Sequence, residues 1–275
     1  MTPSQEFAQK RAEAEQLIRE HAPARLQEQL ISLLRPAIAL TATRSDDAQI
    51  PLGASKFGGA PDVPLEFEWP MWNEKPLGFL AQINLEEVAL FDVEGVLPKS
   101  GLLLFFLSLD EQNPVWGEPE QREGWRALFT GEPLHRVEPP TNSHWIVPLL
   151  TQQVVFDWGW SFSNNSFENV EWDEDEWSDF QWEILERPPH RMFGCAYAPQ
   201  LSPLVVATNG FQGKSAEALY DEVSTTDWEL LLQLDTGANE FFAGHDDLGW
   251  FYFLIRRNDL KNGDFSCVWF NEQCT

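Results

Sequence analysis

Two glutamines, Gln82 and Gln233, stand inside otherwise apolar runs, FLAQIN and LLLQLD. An amide in such a place must find hydrogen-bond partners or cost about 1 to 3 kcal/mol. Each therefore either ties neighbouring strands or loops together or lines a polar groove. As groove candidates for a ligand they are joined by Trp69 and Trp250. A second constellation is GHDDLGW, which brings His245, Asp246 and Asp247 together, with Asp235 facing them from the preceding strand. Such a set could hold a divalent metal. The other histidines show no ligand spacing such as HExxH, and Asp and Gly ahead of an apolar strand are ordinary turn chemistry. The expectation is a turn, with no metal and no cofactor.

The third constellation is FENVEWDEDEWSDFQWE. Between Val137 and Glu186 there is no Lys or Arg, yet there are eleven Asp and Glu and six Trp. Here Trp172, Asp173, Glu174, Asp175, Glu176 and Trp177 could form a partner-binding face, Trp supplying contact area and carboxylates steering encounter. The plainer reading is a solvated loop pinned by aromatic anchors. Trp172, Trp177 and Trp182 recur every five residues, a period of neither helix nor strand, which predicts an irregular or hairpin segment. The spaced Asp and Gly of a calcium loop are missing.

Covalent chemistry has little support. FGGAP at Phe57–Pro61 lacks the GxxxxGK[ST] pattern of a phosphate cradle, and its glycines suit a tight turn. There is no GxSxG motif, and no cysteine has a nearby His and orienting acid. Trp together with carboxylates keeps a carbohydrate- or small-ligand-active enzyme as the alternative. That alternative predicts a buried carboxylic acid of raised pKa beside a second carboxylate, at the floor of a Trp-lined cleft.

The charge narrows the partners. Eighteen Lys and Arg against 44 Asp and Glu give a net charge of −26 over 275 residues, a field that repels phosphate backbones and anionic lipid headgroups. No nucleic acid and no membrane partner is expected; a basic protein is the partner that fits. The first twenty residues lack the apolar core of a secretory signal, and no apolar run reaches spanning length. Cys195, Cys267 and Cys274 are odd in number without CxxC spacing and read as reduced thiols, so the expected compartment is the cytoplasm.

The elements that must position these residues are α+β: an N-terminal helical hairpin packed on a mostly antiparallel β body with an internal duplication. Phe7, Ala14, Leu17 and Ile18 form one helical stripe, interrupted by Arg11, and Leu26, Leu30, Leu33 and Leu34 form a second. The expected division is a helical segment over 1–43 and a body over 44–275. Strands are expected at Leu77–Ile83, Leu102–Leu107, Trp145–Leu150, Val154–Asp157, Leu204–Ala207, Leu230–Leu234, Trp250–Ile255 and Val268–Phe270, with a short helix at Ser215–Glu222. Within the body, Phe57-Gly58, Gln82 and Gly101 before LLLFFL repeat in order as Phe193-Gly194, Gln233 and Gly249 before WFYFLI. The repeats are placed at about 55–136 and about 187–275, with the acidic Trp-rich stretch 137–186 as an insertion between them.

Taken together, SKFGGAPDVP with Trp69-Pro70, LGFLAQINL, Leu97-Pro98 with Gly101, WELLLQLD, DLGWFYFLI and FSCVWFNEQC resemble the YwqG-like family, a bacterial domain of unknown function. The resemblance runs from Ser55 to the C-terminus. It implies one α+β body with duplicated sheet elements and brings no activity with it; HRMFGCAYAPQ departs from the shorter turn the family pattern would have there. The protein expected from these residues is cytosolic, non-enzymatic and acidic, and holds or neutralises a basic partner, as an immunity-like protein would.

Overall fold

The computed structural model describes residues 2–110, 112–140, 149–162, 173–185, 188–238 and 249–274. Pro3 in the first turn, with Gln5 Oε1 accepting from the Thr2 amide at 2.9 Å, opens helix α1 (Pro3–His21). Its apolar stripe docks on the sheet, the Phe7 ring lying 5.2 Å from both Trp158 and Trp160. Arg11 does not break that contact: its guanidinium lies 5.1 Å over the Trp160 ring and donates to Glu15 at 3.0 Å. Leu17, expected on the stripe, is 44% exposed. Helix α2 (Gln27–Leu33) buries Leu30 and Ile31.

The helical segment ends there and not at residue 43. Pro36 cannot continue a helix, and Ile38, Thr41 and Thr43 favour the extended β1 (Arg35–Arg44), which buries Ile38, Leu40 and Ala42 in alternation. After it come β2 (Lys56–Phe57), β3 (Asp62–Pro64), the hairpin β4 (Met71–Trp72) and β5 (Lys75–Pro76), β6 (Gly78–Asn84), helix α3 (Leu85–Val88), β7 (Leu102–Leu107), β8 (Trp125–Thr130) and β9 (Leu134–Arg136). The second half runs β10 (Gln152–Ser161), α4 (Glu174–Phe180), β11 (His190–Met192), α5 (Pro203–Phe211), β12 (Trp228–Asp235), β13 (Gly249–Arg256), α6 (Arg257–Asn262) and β14 (Trp269–Cys274).

Ten strands form one antiparallel sheet in the order β14-β13-β12-β11-β1-β10-β2-β6-β7-β8, while β3 pairs with β9 outside it. The order mirrors about the long β1–β10 pair, which runs from Arg35 opposite Ser161 to Arg44 opposite Gln152. Each centre strand is exchanged: β1 leads into β2 but pairs with β11, and β10 leads into β11 but pairs with β2. A bulge recurs at the same place in both repeats, between Phe79 and Ala81 and between Leu230 and Leu232. The sheet curls nearly into a barrel, so its outer strands meet: Trp125 Nε1 donates to Val268 O at 2.9 Å and Asn271 Nδ2 to Trp116 O at 3.0 Å. Inside, Phe105 and Phe253, equivalent residues of the two repeats, pack with ring centroids 4.9 Å apart.

Four expectations are corrected. Leu204–Ala207 belongs to helix α5, because Pro203 sets a helix start and the apolar run is too short for its period to tell strand from helix. The helix at Ser215–Glu222 shrinks to a 3-10 turn, Ala216–Ala218. The acidic stretch is not an insertion throughout, since β10 lies in it and is a central strand of the sheet. Its DEDEWSDF part is helical (α4), capped by Asp173 Oδ1 accepting from the Glu176 amide at 2.8 Å, and continues as a π turn over Gln181–Leu185. Of the strand expected at Trp145–Leu150, residues 145–148 lie outside the described residues, and Leu149 and Leu150 are irregular.

Candidate functional site

Gln82 and Gln233 are equivalent residues, and both are fully buried ties. Gln82 Oε1 accepts from the Asp62 amide at 2.9 Å, and its Nε2 donates to Ala54 O at 2.7 Å and Asp62 Oδ2 at 2.8 Å. Gln233 Oε1 accepts from the Tyr197 amide at 2.9 Å and its Nε2 donates to Pro189 O at 3.2 Å. Each faces a buried cation across the ladder, Lys56 opposite Gln82 and Arg191 opposite Gln233. These cations reach the same place: Lys56 Nζ donates to Ala60 O at 2.5 Å, and Arg191 Nη1 to Cys195 O at 3.4 Å. Ser55 Oγ likewise accepts from the Asn84 amide at 2.8 Å where His190 Nδ1 accepts from the Asp235 amide at 3.1 Å. The contacts shift the expected alignment of the first motif by one residue. Gly58-Gly59, with φ of 59° and 70°, matches Phe193-Gly194, with φ of 57° and 69°, where the expectation placed Phe57-Gly58.

The first repeat surrounds its cation with charge. Asp47 Oδ1 accepts from Lys56 at 2.6 Å; Asp62 Oδ1 accepts from Arg136 Nε at 2.7 Å, and its Oδ2 accepts from the Gly53 amide at 2.8 Å and Arg136 Nη2 at 3.1 Å. Burial, the largest influence on Asp62, raises its pKa, but Arg136, Gln82, the Gly53 amide and Lys56 together hold it below the usual carboxylate range. Burial likewise depresses the Lys56 ammonium against the pull of Asp47 and Asp62. Both oxygens of Asp62 are engaged, so the cluster locks β2, β3, β6 and β9 together and offers no free group for chemistry.

The open site lies beside the turn of the second repeat, between it, β1 and a loop of the first repeat. A cleft of about 710 Å³ has β1 residues Arg35–Ile38 on one side, the Phe193–Cys195 turn and the start of β12 on another, and α6 with the 91–96 loop closing it. β11 is three residues long, so β1 and β12 separate beyond Met192 and leave the gap. Glu229, in its lining next to the buried Trp228, accepts from Arg257 at 2.6 Å. Burial pushes the Glu229 carboxyl above its ordinary range, Arg257 pulling it down and Glu94 adding to the rise. Burial also pushes the Cys195 thiol up, so it lines the cleft as a neutral group.

None of the four groove candidates reaches this cleft. Trp69 belongs to a smaller core with Phe67 and Phe106 and donates to Leu77 O at 2.8 Å; Trp250 is buried against Tyr197, ring centroids 5.1 Å apart. Asp235 closes a turn, its Oδ1 accepting from the Gly237 amide at 2.9 Å. His245, Asp246, Asp247 and Trp172 lie outside the described residues, as do the side chains of Glu174 and Trp177. Among the described residues no cluster of three or more metal-ligating side chains occurs. On the acidic helix, Asp173 caps, Glu176 accepts a bidentate pair from Arg25 at 2.9 and 2.7 Å, and Asp175 is exposed. Among the described residues no helix is long and apolar enough to cross a membrane.

The cleft residues escaped the sequence because they come from six separate segments, none with a motif. The only signal was charge at the ends of apolar strands, Glu229 early in β12 and Arg257 just after β13. No curated protein matches the chain. A family model described as a domain of unknown function (DUF1963) matches residues 55–274, from the Ser55 that starts the first buried polar tie to the last residue of β14. With most of its length so matched, the chain belongs to the DUF1963 family of domains of unknown function.

Proposed function

We propose that the protein is a non-enzymatic binding protein of the bacterial cytoplasm, of the YwqG-like kind, that takes a small ligand into the cleft between its second repeat, β1 and the 91–96 loop. The observation that carries this is the cleft itself, whose volume of about 710 Å³ lies within the range of ligand sites and whose wall mixes apolar side chains with a few charged ones. Releasing small molecules from natively purified protein into organic solvent and identifying them by mass spectrometry tests it. The wild type is expected to carry a species that Thr226→Trp, at the exposed cleft rim, loses. Identical extracts would overturn it.

A basic protein held at α4 is the less supported form of the reading, because Asp173 and Glu176 serve contacts within the chain. A small-ligand enzyme is favoured by one observation, the raised Glu229 carboxyl with Glu94 near it in a lining that also holds Trp228. Its ion pair with Arg257 weighs against proton transfer, since the proton and the guanidinium compete for the same oxygens.

A further inference from the structure

We infer that the ligand of this cleft is an amphipathic monoanion: an apolar or aromatic body carrying one carboxylate, sulfonate or phosphate ester. This rests on the cleft being the ligand site, and it follows from which charges there are already committed. Asp92 turns one oxygen to the amide of Val96 and the other to that of Leu97, at 3.2 and 2.9 Å. Glu229 and Arg257 hold each other at 2.6 Å. Arg35 and Lys261 both line the cleft, both are exposed, and among the described residues neither enters an ion pair. The one acid left over is Glu94, exposed on the 91–96 loop.

Counting every charge in the lining, Arg35, Arg257 and Lys261 stand against Asp92, Glu94 and Glu229, a local balance of three to three in a chain of net charge −26. Arg35 and Lys261, without an ion pair among the described residues, can meet one negative group, while a second would face Glu94 and the long-range repulsion of the whole molecule. A cation would have to displace Arg257 from Glu229 or settle for Glu94 alone. The rest of the wall, Phe91, Val93, Phe193 and Leu204, is apolar, and Val93 is 53% exposed, so the body of the ligand gains by covering it.

The matched probes are 8-anilinonaphthalene-1-sulfonate and N-phenyl-1-naphthylamine, the same aromatic body with and without the anionic group, titrated by fluorescence into the full chain. The sulfonate is expected to saturate one site, to weaken as salt rises, and to bind about tenfold more weakly to the Arg35→Gln/Lys261→Gln double variant. The neutral probe should change less than about twofold in that variant. Lys261→Gln alone, on the exposed side of α6, repeats the test if the double variant unfolds early. If both probes bind equally, both are lost in Thr226→Trp and neither responds to the charge variants, the monoanion is overturned while the cleft reading stands. If sulfonate binding survives Thr226→Trp unchanged, it lies elsewhere and both readings are overturned.

Discussion

The turn after β2 and the turn after β11 share one backbone and have opposite surroundings. Both place two successive residues in the left-handed region, Gly58-Gly59 in the first repeat and Phe193-Gly194 in the second. A Cβ on Gly58 would meet Leu150 O at 2.6 Å and Leu149 O at 2.7 Å, because the segment before β10 leans over the turn. In the second repeat the corresponding Arg35 and Pro36 stay in the sheet, paired with Ser161 and Trp160. The space they leave is the cleft, and it is why a phenylalanine can stand where its counterpart must be glycine. A parallel difference runs inside: Asp62 becomes Tyr197, Lys56 becomes Arg191 and Ser55 becomes His190. Duplication built the frame; the loss of symmetry at one turn and around one cation separated a sealed half from an open one.

The largest expected effect tests the sealed half. Asp62→Asn keeps the shape but leaves Lys56 and Arg136 short of a buried counter-charge, and should cost about 3 to 5 kcal/mol in urea unfolding. At the equivalent position Tyr197→Phe loses the bond its hydroxyl accepts from Gln181 at 2.9 Å, about 1 kcal/mol. Equal costs would break the comparison. Next is Gly58→Ala, where left-handed strain and a backbone clash together predict about 2 to 4 kcal/mol by the same measurement; a neutral result would mean that the 149–150 segment is free to move off the turn.

How far the sequence shows this division depends on length and on satisfaction. Gln82 and Gln233 were legible as a matched pair because a buried amide must be answered, and the answers coincide. The long strands β6, β7, β12 and β13 were legible as apolar runs bounded by turns. β2 and β11, of two and three residues, are too short for any period to show, yet β11 ends where the cleft begins. β1 was hidden behind Pro36, which ends a helix as readily as it stands at the start of a strand. The one-residue slip at Phe57 and Phe193 has a physical source: sequence aligns the phenylalanines, whereas the backbone aligns the left-handed pairs. A single left-handed phenylalanine leaves no mark in a sequence.

His190 sharpens the comparison through pH. Burial holds it down to about 4, and its Nδ1 already accepts from the Asp235 amide, so the folded state keeps it neutral. The unfolded chain binds that proton near 6.5. Stability from this group is therefore full above about pH 6.5 and is lost as pH falls toward 4, on the order of 3 kcal/mol in all. Asp62, with its depressed pKa, loses its share only at lower pH still, as the carboxylate protonates. His190→Ser installs the residue of the first repeat, whose hydroxyl makes the corresponding bond. Urea midpoints across pH 7 to 4 should then flatten; an unchanged slope would place the titrating group elsewhere.

The smallest expected effect bears most directly on the cleft. Phe193→Gly removes left-handed strain of about 1 to 2 kcal/mol. It also gives up the packing of a half-buried ring, about 1 kcal/mol, and adds about 0.5 to 1 kcal/mol of backbone entropy to the unfolded chain. These terms nearly cancel, so the urea midpoint should move by less than the equivalent of about 1 kcal/mol, in contrast to Gly58→Ala on the same backbone. A loss above about 2 kcal/mol would mean that the Phe193 ring is held as firmly as the sealed turn of the first repeat, and the cleft would then be a packing defect with no slack for a ligand.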